Sequence, residues 1–245
     1  MMRATVLALA LALAVPAWGG GFSALLDSVV EAYGGPRAAA RLEAFRAEAE
    51  ITARMRGMRG RMVREFLAPD RLRVEITYPR STEVRVLNGD RGWRGDAGRL
   101  QRVEGLPLLA MRYQLLRSTV PWVFTAHRRL LEDRGTRRRN GVDYRLVGLP
   151  WSMGLDLVYW IDPVTRRVDR VEGTLRARGG AAPFATEYSD FRRLDGVLVP
   201  FHEENYASGR HTGTTRLVSV RFGTQGLGPF DPTRDAGGHR YDSGD

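Results

Sequence analysis

Apolar residues recur along this chain with two different periods, and the changes of period divide it into elements. Phe22, Leu25, Leu26, Val29, Val30 and Tyr33 fall at i, i+3, i+4, i+7, i+8 and i+11, one stripe of an amphipathic helix over 22–33. Ser23 or its neighbour is placed to cap the start, and Gly34-Gly35 can end the helix at positive φ. Pro36 opens a shorter helix over 37–45. From Arg46 the period becomes two. Ala47, Ala49, Ile51, Ala53 and Met55 alternate with mostly polar partners, as do Leu72, Val74, Ile76 and Tyr78. Val84 and Val86 continue the apolar alternation between Glu83, Arg85 and Leu87. Such stretches predict antiparallel strands with one face on a core and one in water. Turns are expected at 57–60, Pro69-Asp70, 79–81 and Asn88-Gly89, with a tight hairpin around Trp93.

Residues 106–131 interrupt the strands with Leu108, Leu109, Met111, Leu115 and Leu116 ahead of Pro121-Trp122. Proline ends or kinks a helix, so two helical pieces are expected, laid over one face of the sheet and able to move separately. Strands are then predicted over 142–147, 155–161, 167–176, 184–192, 197–206 and 211–222. Leu155 to Ile161 is apolar at nearly every position, the pattern of a strand covered on both sides. Residues 226–245, rich in Gly, Asp and Pro, read as a surface-hugging or disordered tail. Helices and antiparallel strands in this order make an α+β chain, one domain over 20–225.

Ahead of the first helix, Arg3 and the unbroken apolar run Val6–Val15 precede Pro16-Ala17-Trp18-Gly19. The run is too short to span a bilayer and reads as a secretory signal over 1–19, cleaved after Ala17 or after Gly19. An exported protein is expected, without a lipid anchor on cysteine, since the sequence has none. With an apolar content of 43%, burial rather than cross-linking must hold it together. The net charge of +10 comes from 38 basic residues that are all arginine. Export argues against nucleic acid as the partner, and the one tight cluster, Arg137-Arg138-Arg139, reads as the solvated flank of the Asn140-Gly141 turn.

Enzyme signatures are missing from the sequence. His202-Glu203 begins like a zinc-protease helix, but Tyr206 stands where the second histidine belongs. There is no lysine for a phosphate loop, no Gly-x-Ser-x-Gly and no cysteine nucleophile. The carboxylates Asp156, Asp162, Asp169 and Glu172 fall around one hairpin, as a solvated sheet face would place them. No catalytic residue, metal ligand or cofactor is assigned.

Tyr33-Gly34-Gly35 at the end of the first helix, Asn88-Gly89-Asp90-Arg91-Gly92-Trp93 in an early hairpin, and 188–200 (Tyr-Ser-Asp-Phe-Arg-Arg-Leu-Asp-Gly-Val-Leu-Val-Pro) together resemble the LolA/LolB-like superfamily of lipoprotein-sorting and related periplasmic proteins. The resemblance covers roughly residues 22–222. It implies a strongly curved antiparallel sheet, an incomplete β-barrel, with helices covering the concave face. It also implies a periplasmic carrier that shelters a lipid or the acyl chains of a lipidated protein, working with membrane transport components as a monomer. The alternative is an envelope sensor or protein-interaction module on the same fold, without transport. Candidate cavity or lid residues are Leu109, Leu116 and Trp122 in the central helices and Leu157, Tyr159 and Trp160 in the doubly apolar strand; the other reading of each is ordinary core packing.

Overall fold

The computed structural model describes residues 21–96, 98–152, 154–177 and 180–232, so the expected leader and the end of the tail lie outside the described residues. Six strands come first: β1 (Ala44–Ala53), β2 (Met58–Leu67), β3 (Arg71–Tyr78), β4 (Ser81–Asn88), β5 (Arg91–Asp96) and β6 (Arg99–Val103). Seven follow the central helices: β7 (Glu132–Arg139), β8 (Val142–Ser152), β9 (Leu155–Ile161), β10 (Val168–Ala177), β11 (Gly180–Leu194), β12 (Val197–Ala207) and β13 (Arg210–Phe222). Each set is an up-and-down meander, and antiparallel pairing of β1 with β13 joins them into one sheet. The order β6-β5-β4-β3-β2-β1-β13-β12-β11-β10-β9-β8-β7 leaves β6 and β7 as edges, so the sheet is an incomplete barrel.

Four α-helices accompany it among the described residues: α1 (Phe22–Ala32), α2 (Gly35–Arg41), α3 (Leu106–Ser118) and α4 (Trp122–Ala126). Because α3 and α4 connect one edge strand to the other, the chain must cross between the two flanks. It does so with α3 packed on β4 and β5 from one flank and on β9 and β10 from the other. The hairpins β1–β2, β3–β4, β10–β11 and β12–β13 all turn at one end. At the opposite end α1, α2 and α4 pack on one another, and α2 on β12. That end is stitched by Tyr33, whose carbonyl accepts the Leu198 N–H at 3.0 Å and whose hydroxyl accepts the Val168 N–H at 3.2 Å. Gly34 must be glycine there: its φ is +116°, and a Cβ would lie 2.1 Å from the Gly196 carbonyl oxygen. The sheet is thus closed at one end and open at the other.

Several boundaries differ from the sequence expectation, each for a physical reason. The second helix stops at Arg41, because Phe45 is drawn into β1 between Phe66 and Phe222. Gly21, with no side-chain hydrogen bond, occupies the N-cap of α1, and the Ser23 hydroxyl instead accepts from Arg128 at 2.7 Å. The expected turn at 57–60 is shorter, and Gly60 already pairs with Ile51 inside β2. Arg137-Arg138-Arg139 ends β7 and pairs with Tyr144-Asp143-Val142. Register also turns Val84 and Val86 to the outer face: Leu87 pairs with Leu72 and Arg85 with Val74, and both partners belong to the core. In β9, Leu155, Leu157, Tyr159 and Ile161 face the core, while Trp160 is buried without joining it. Of the tail from 226, the described part docks: the Gly228 N–H donates to Glu65 at 3.2 Å, and Phe230 is buried.

Phe124, fully buried against the Tyr159 ring at 5.2 Å, tests the core. Phe124→Ala should cost ~3–5 kcal/mol in urea unfolding. Val218→Ala, at an exposed position, should change stability by less than ~0.5 kcal/mol.

Candidate functional site: a cavity with a charged floor

Alternation along the strands decides which side chains enter the space beneath α3. Met62, Arg64 and Phe66 of β2 are buried, as are Phe201 and Glu203 of β12. Arg64 therefore takes a position that apolar residues flank on both sides, and Glu203 one that follows the buried Phe201 on the same face. Arg64 donates to Glu203 through both terminal nitrogens, at 2.8 and 3.0 Å, the bidentate geometry that suits a guanidinium and a carboxylate. From α3, Arg117 donates at 2.9 Å to Oε2 of the same carboxylate, the oxygen that also accepts from one Arg64 nitrogen. Burial alone would raise the Glu203 carboxyl, but the two arginines outweigh it and hold it at about 2. His202 points away from this cluster, its ring within 3.4 Å of Glu204, so His202-Glu203 is not a metal motif. Among the described residues, no group of three or more His, Cys, Asp or Glu side chains could hold a metal ion.

Tyrosines fix the C-terminal half of α3 above this cluster. Tyr188 donates to the Arg117 carbonyl at 2.7 Å, and Tyr159 to the Leu116 carbonyl at 3.3 Å. Tyr113 reaches from α3 to the Val171 carbonyl at 3.0 Å. Burial pushes all three hydroxyls up, Tyr113 to about 12, so they stay neutral donors. Gly173 makes room for the Tyr113 ring, since a Cβ there would lie 2.5 Å from it.

Above Arg64 and Arg117 a cavity of about 370 Å³ extends toward the open end of the sheet. One wall is apolar, with Ile51, Met62 and Ile76. The other carries a polar ladder in which Thr186 donates to Asn205 at 3.0 Å and Asn205 to Thr215 at 3.4 Å. Ala53, Tyr78, Phe184 and Ala207 form the rim, and Ala110 and Gln114 of α3 the roof. Arg85 lines it too, held by Glu83 at 2.8 Å and donating to Gln114 at 3.4 Å.

Solved structures share this architecture. A LolA superfamily protein from Nitrosomonas europaea aligns over 82% of this chain and 93% of its own, with a TM-score of 0.52 at 13% identity. The chain has a LolA-like fold. A structure described as an outer membrane lipoprotein-sorting protein domain from Vibrio parahaemolyticus aligns over 82% of this chain and 94% of its own at TM-score 0.50 and 14% identity. A DUF1329 family protein from Desulfovibrio piger covers 86% of this chain and 98% of its own at TM-score 0.50 and 12% identity. No protein-family model matches the sequence, and neither does any curated protein.

Within this LolA-like fold the six residues singled out in the sequence do not line the cavity together. Leu116, Trp122, Leu157 and Tyr159 belong to the packed core beneath α3 and α4. Leu109 is half-buried on the first turns of α3 and reaches toward Gly154 in the β8–β9 turn. Trp160 lies against Tyr144, Arg137 and Arg170 instead. Sequence reasoning missed Arg64, Glu203 and Arg117. The signal for Arg64 was a charge between two apolar positions of one face, Met62-Arg64-Phe66; Glu203 follows Phe201 but precedes the polar Asn205, so its signal was one-sided.

Removing one partner of a buried charge cluster leaves the others uncompensated, so Glu203→Gln should cost ~3–5 kcal/mol at pH 7. The folded carboxyl sits below its ordinary 4.5, so its contribution is complete above that pH and is lost as pH falls toward about 2. The gap between wild type and Glu203→Gln in urea unfolding should therefore narrow across that window.

Proposed function

We propose that this protein is a periplasmic carrier or binding protein for a hydrophobic ligand, a lipid or the acyl chains of a lipoprotein, exported by the leader over 1–19. The observation that carries this reading is the cavity beneath α3, walled by Ile51, Met62 and Ile76 and rimmed by Ala53, Tyr78 and Phe184. Its volume of about 370 Å³ falls within the range of small-molecule sites, toward the low end. Burying an acyl chain contributes about 0.8 kcal/mol per methylene, so a dozen carbons offer on the order of 10 kcal/mol before ordering costs. No recognition motif is needed beyond the walls. The likeness to a lipoprotein-sorting domain supports the same reading at the level of fold. No helix among the described residues is long and apolar enough to cross a membrane.

The test is cavity filling. Ala53→Trp and Ala110→Trp each place an indole in the cavity from its rim or roof. Both should weaken binding of a fluorescent fatty acid by about tenfold or more while leaving the unfolding midpoint close to wild type. Failure of the wild type to bind the probe at micromolar levels, with no lipid extracted from protein purified from the periplasm, would remove the reading.

Of the two pieces expected to move separately over 106–131, the first has its C-terminal half held by the bonds to Leu116 and Arg117. The first turns are the least buried part of this helix: Leu106 is exposed, and Leu108, Leu109 and Ala110 are half-buried. Amide exchange should show protection gained on ligand binding at 106–112 and little change at 113–126. Equal gains across both segments would argue for a helix that moves as one body.

A further inference from the structure

We propose that the cavity takes a single-chain amphiphile whose anionic group enters first and rests at the charged floor, against Arg117 and Arg64, with its apolar chain running outward past Ile51, Ile76 and Phe184. This rests on the carrier reading and adds the chemistry of the ligand's head. The charge balance of the floor is the first support. Arg64, Arg117 and Glu203 are all buried, and two guanidinium groups against one carboxylate leave one positive charge in excess. Arg85, the third arginine on the cavity, shares its carboxylate partner Glu83 with Arg94 and Arg56. The lining holds these three arginines and no Asp or Glu among the described residues.

Donor capacity is the second support. The Arg64 Nε is buried with no hydrogen-bond partner among the described residues, and this side chain lines the cavity. A buried donor left unmatched is unfavourable, and an unbalanced buried charge more so. A carboxylate or phosphate monoester supplies the missing acceptor and the missing charge together, and it forms the shorter, stronger kind of hydrogen bond with guanidinium. A neutral acyl chain supplies neither. The gradient along the cavity gives the orientation: charge lies at the closed end, and Ala53, Phe184 and Ala207 at the open one. Its size, about 370 Å³, suits one chain and not two.

The experiment is a calorimetric ligand series on the mature wild-type protein at pH 7.5, below micellar concentrations. Dodecanoate and a dodecanoyl lysophosphatidate should each bind at least about tenfold more tightly than methyl dodecanoate or dodecanol. The ratio between the two acids identifies the head as carboxylate or phosphate. Acetate and inorganic phosphate alone should bind far more weakly than either. Equal affinity for acids, ester and alcohol overturns the anionic head while leaving the carrier reading intact. Absence of binding by all four acyl compounds removes both readings. Equal affinity for phosphate or acetate alone overturns the amphiphile. In Arg117→Gln the preference for the acid should shrink to about twofold, and a preference retained in full overturns the assignment to this floor. Should that variant fail to fold, the wild-type series decides the matter by itself.

Discussion

The carboxylate of Glu203 is the point where three separately placed pieces of chain are held in one geometry. It sits on β12, accepts both terminal nitrogens of Arg64 from β2, and accepts Arg117 from α3. Between those two strands lie β1 and β13, whose pairing is what joins the two meanders. The cluster therefore spans the seam of the sheet on its inner face and fixes the crossing helix above it. An open sheet with two free edges has no barrel closure to set its curvature. A buried bidentate pair across the seam, with a helix fastened to one of the same oxygen atoms, constrains that curvature from inside.

Such a cluster is a poor way to gain stability, because two guanidinium groups and a carboxylate lose their water. Packed apolar side chains would do at least as well at the same places. What charges add is geometry: the fork of Arg64 meets Glu203 in only one arrangement, whereas apolar neighbours slide. The tyrosines extend this logic. Tyr188 and Tyr159 donate to carbonyls in the last turns of α3, where no helical N–H follows to satisfy them. These bonds hold the C-terminal half of the helix, while Leu106–Ala110 is its more exposed part, with Ala110 lining the cavity.

Much of the fold was legible because period-two alternation is strong wherever one face meets the core. β1 and β3 came from that alone, β9 from a run apolar at nearly every position, and Pro121 divided the central helices where the sequence places it. β2 and β7 were not legible, for opposite reasons. Gly60 between Arg59 and Arg61 reads as a turn, yet it lies under the Tyr78 ring, where a side chain would collide. β7 is an edge strand with no buried residue, so no pattern marks it. The site was hidden by the same rule that exposed the fold. A charge in an alternating strand is read as facing water, and Arg64 and Glu203 face inward. Aromatic residues drew attention to Trp122, Tyr159 and Trp160, which pack instead of lining a space. Only the register between strands, set by neighbours far away in sequence, shows that Arg64 and Glu203 meet.

The chain's use of arginine without lysine becomes intelligible once the two faces of the sheet are compared. On the outer face, Trp160 is buried among side chains of neighbouring strands. The guanidinium carbons of Arg137 and Arg170 lie 5.3 and 6.0 Å from its ring, with the Tyr144 ring at 5.7 Å. Arg167 lies 4.5 Å from the Phe191 ring in the same manner. A planar guanidinium on a long stem can shield apolar surface while its edge stays available to carboxylates, and Arg170 does both, pairing with Glu172 and Glu187. A lysine ammonium offers neither the flat face nor the fork. Inside, that same fork binds Glu203. The floor of the cavity is different. There the arginines outnumber their carboxylate in a buried place, where counter-ions from solvent screen least, and the excess bears on whatever enters.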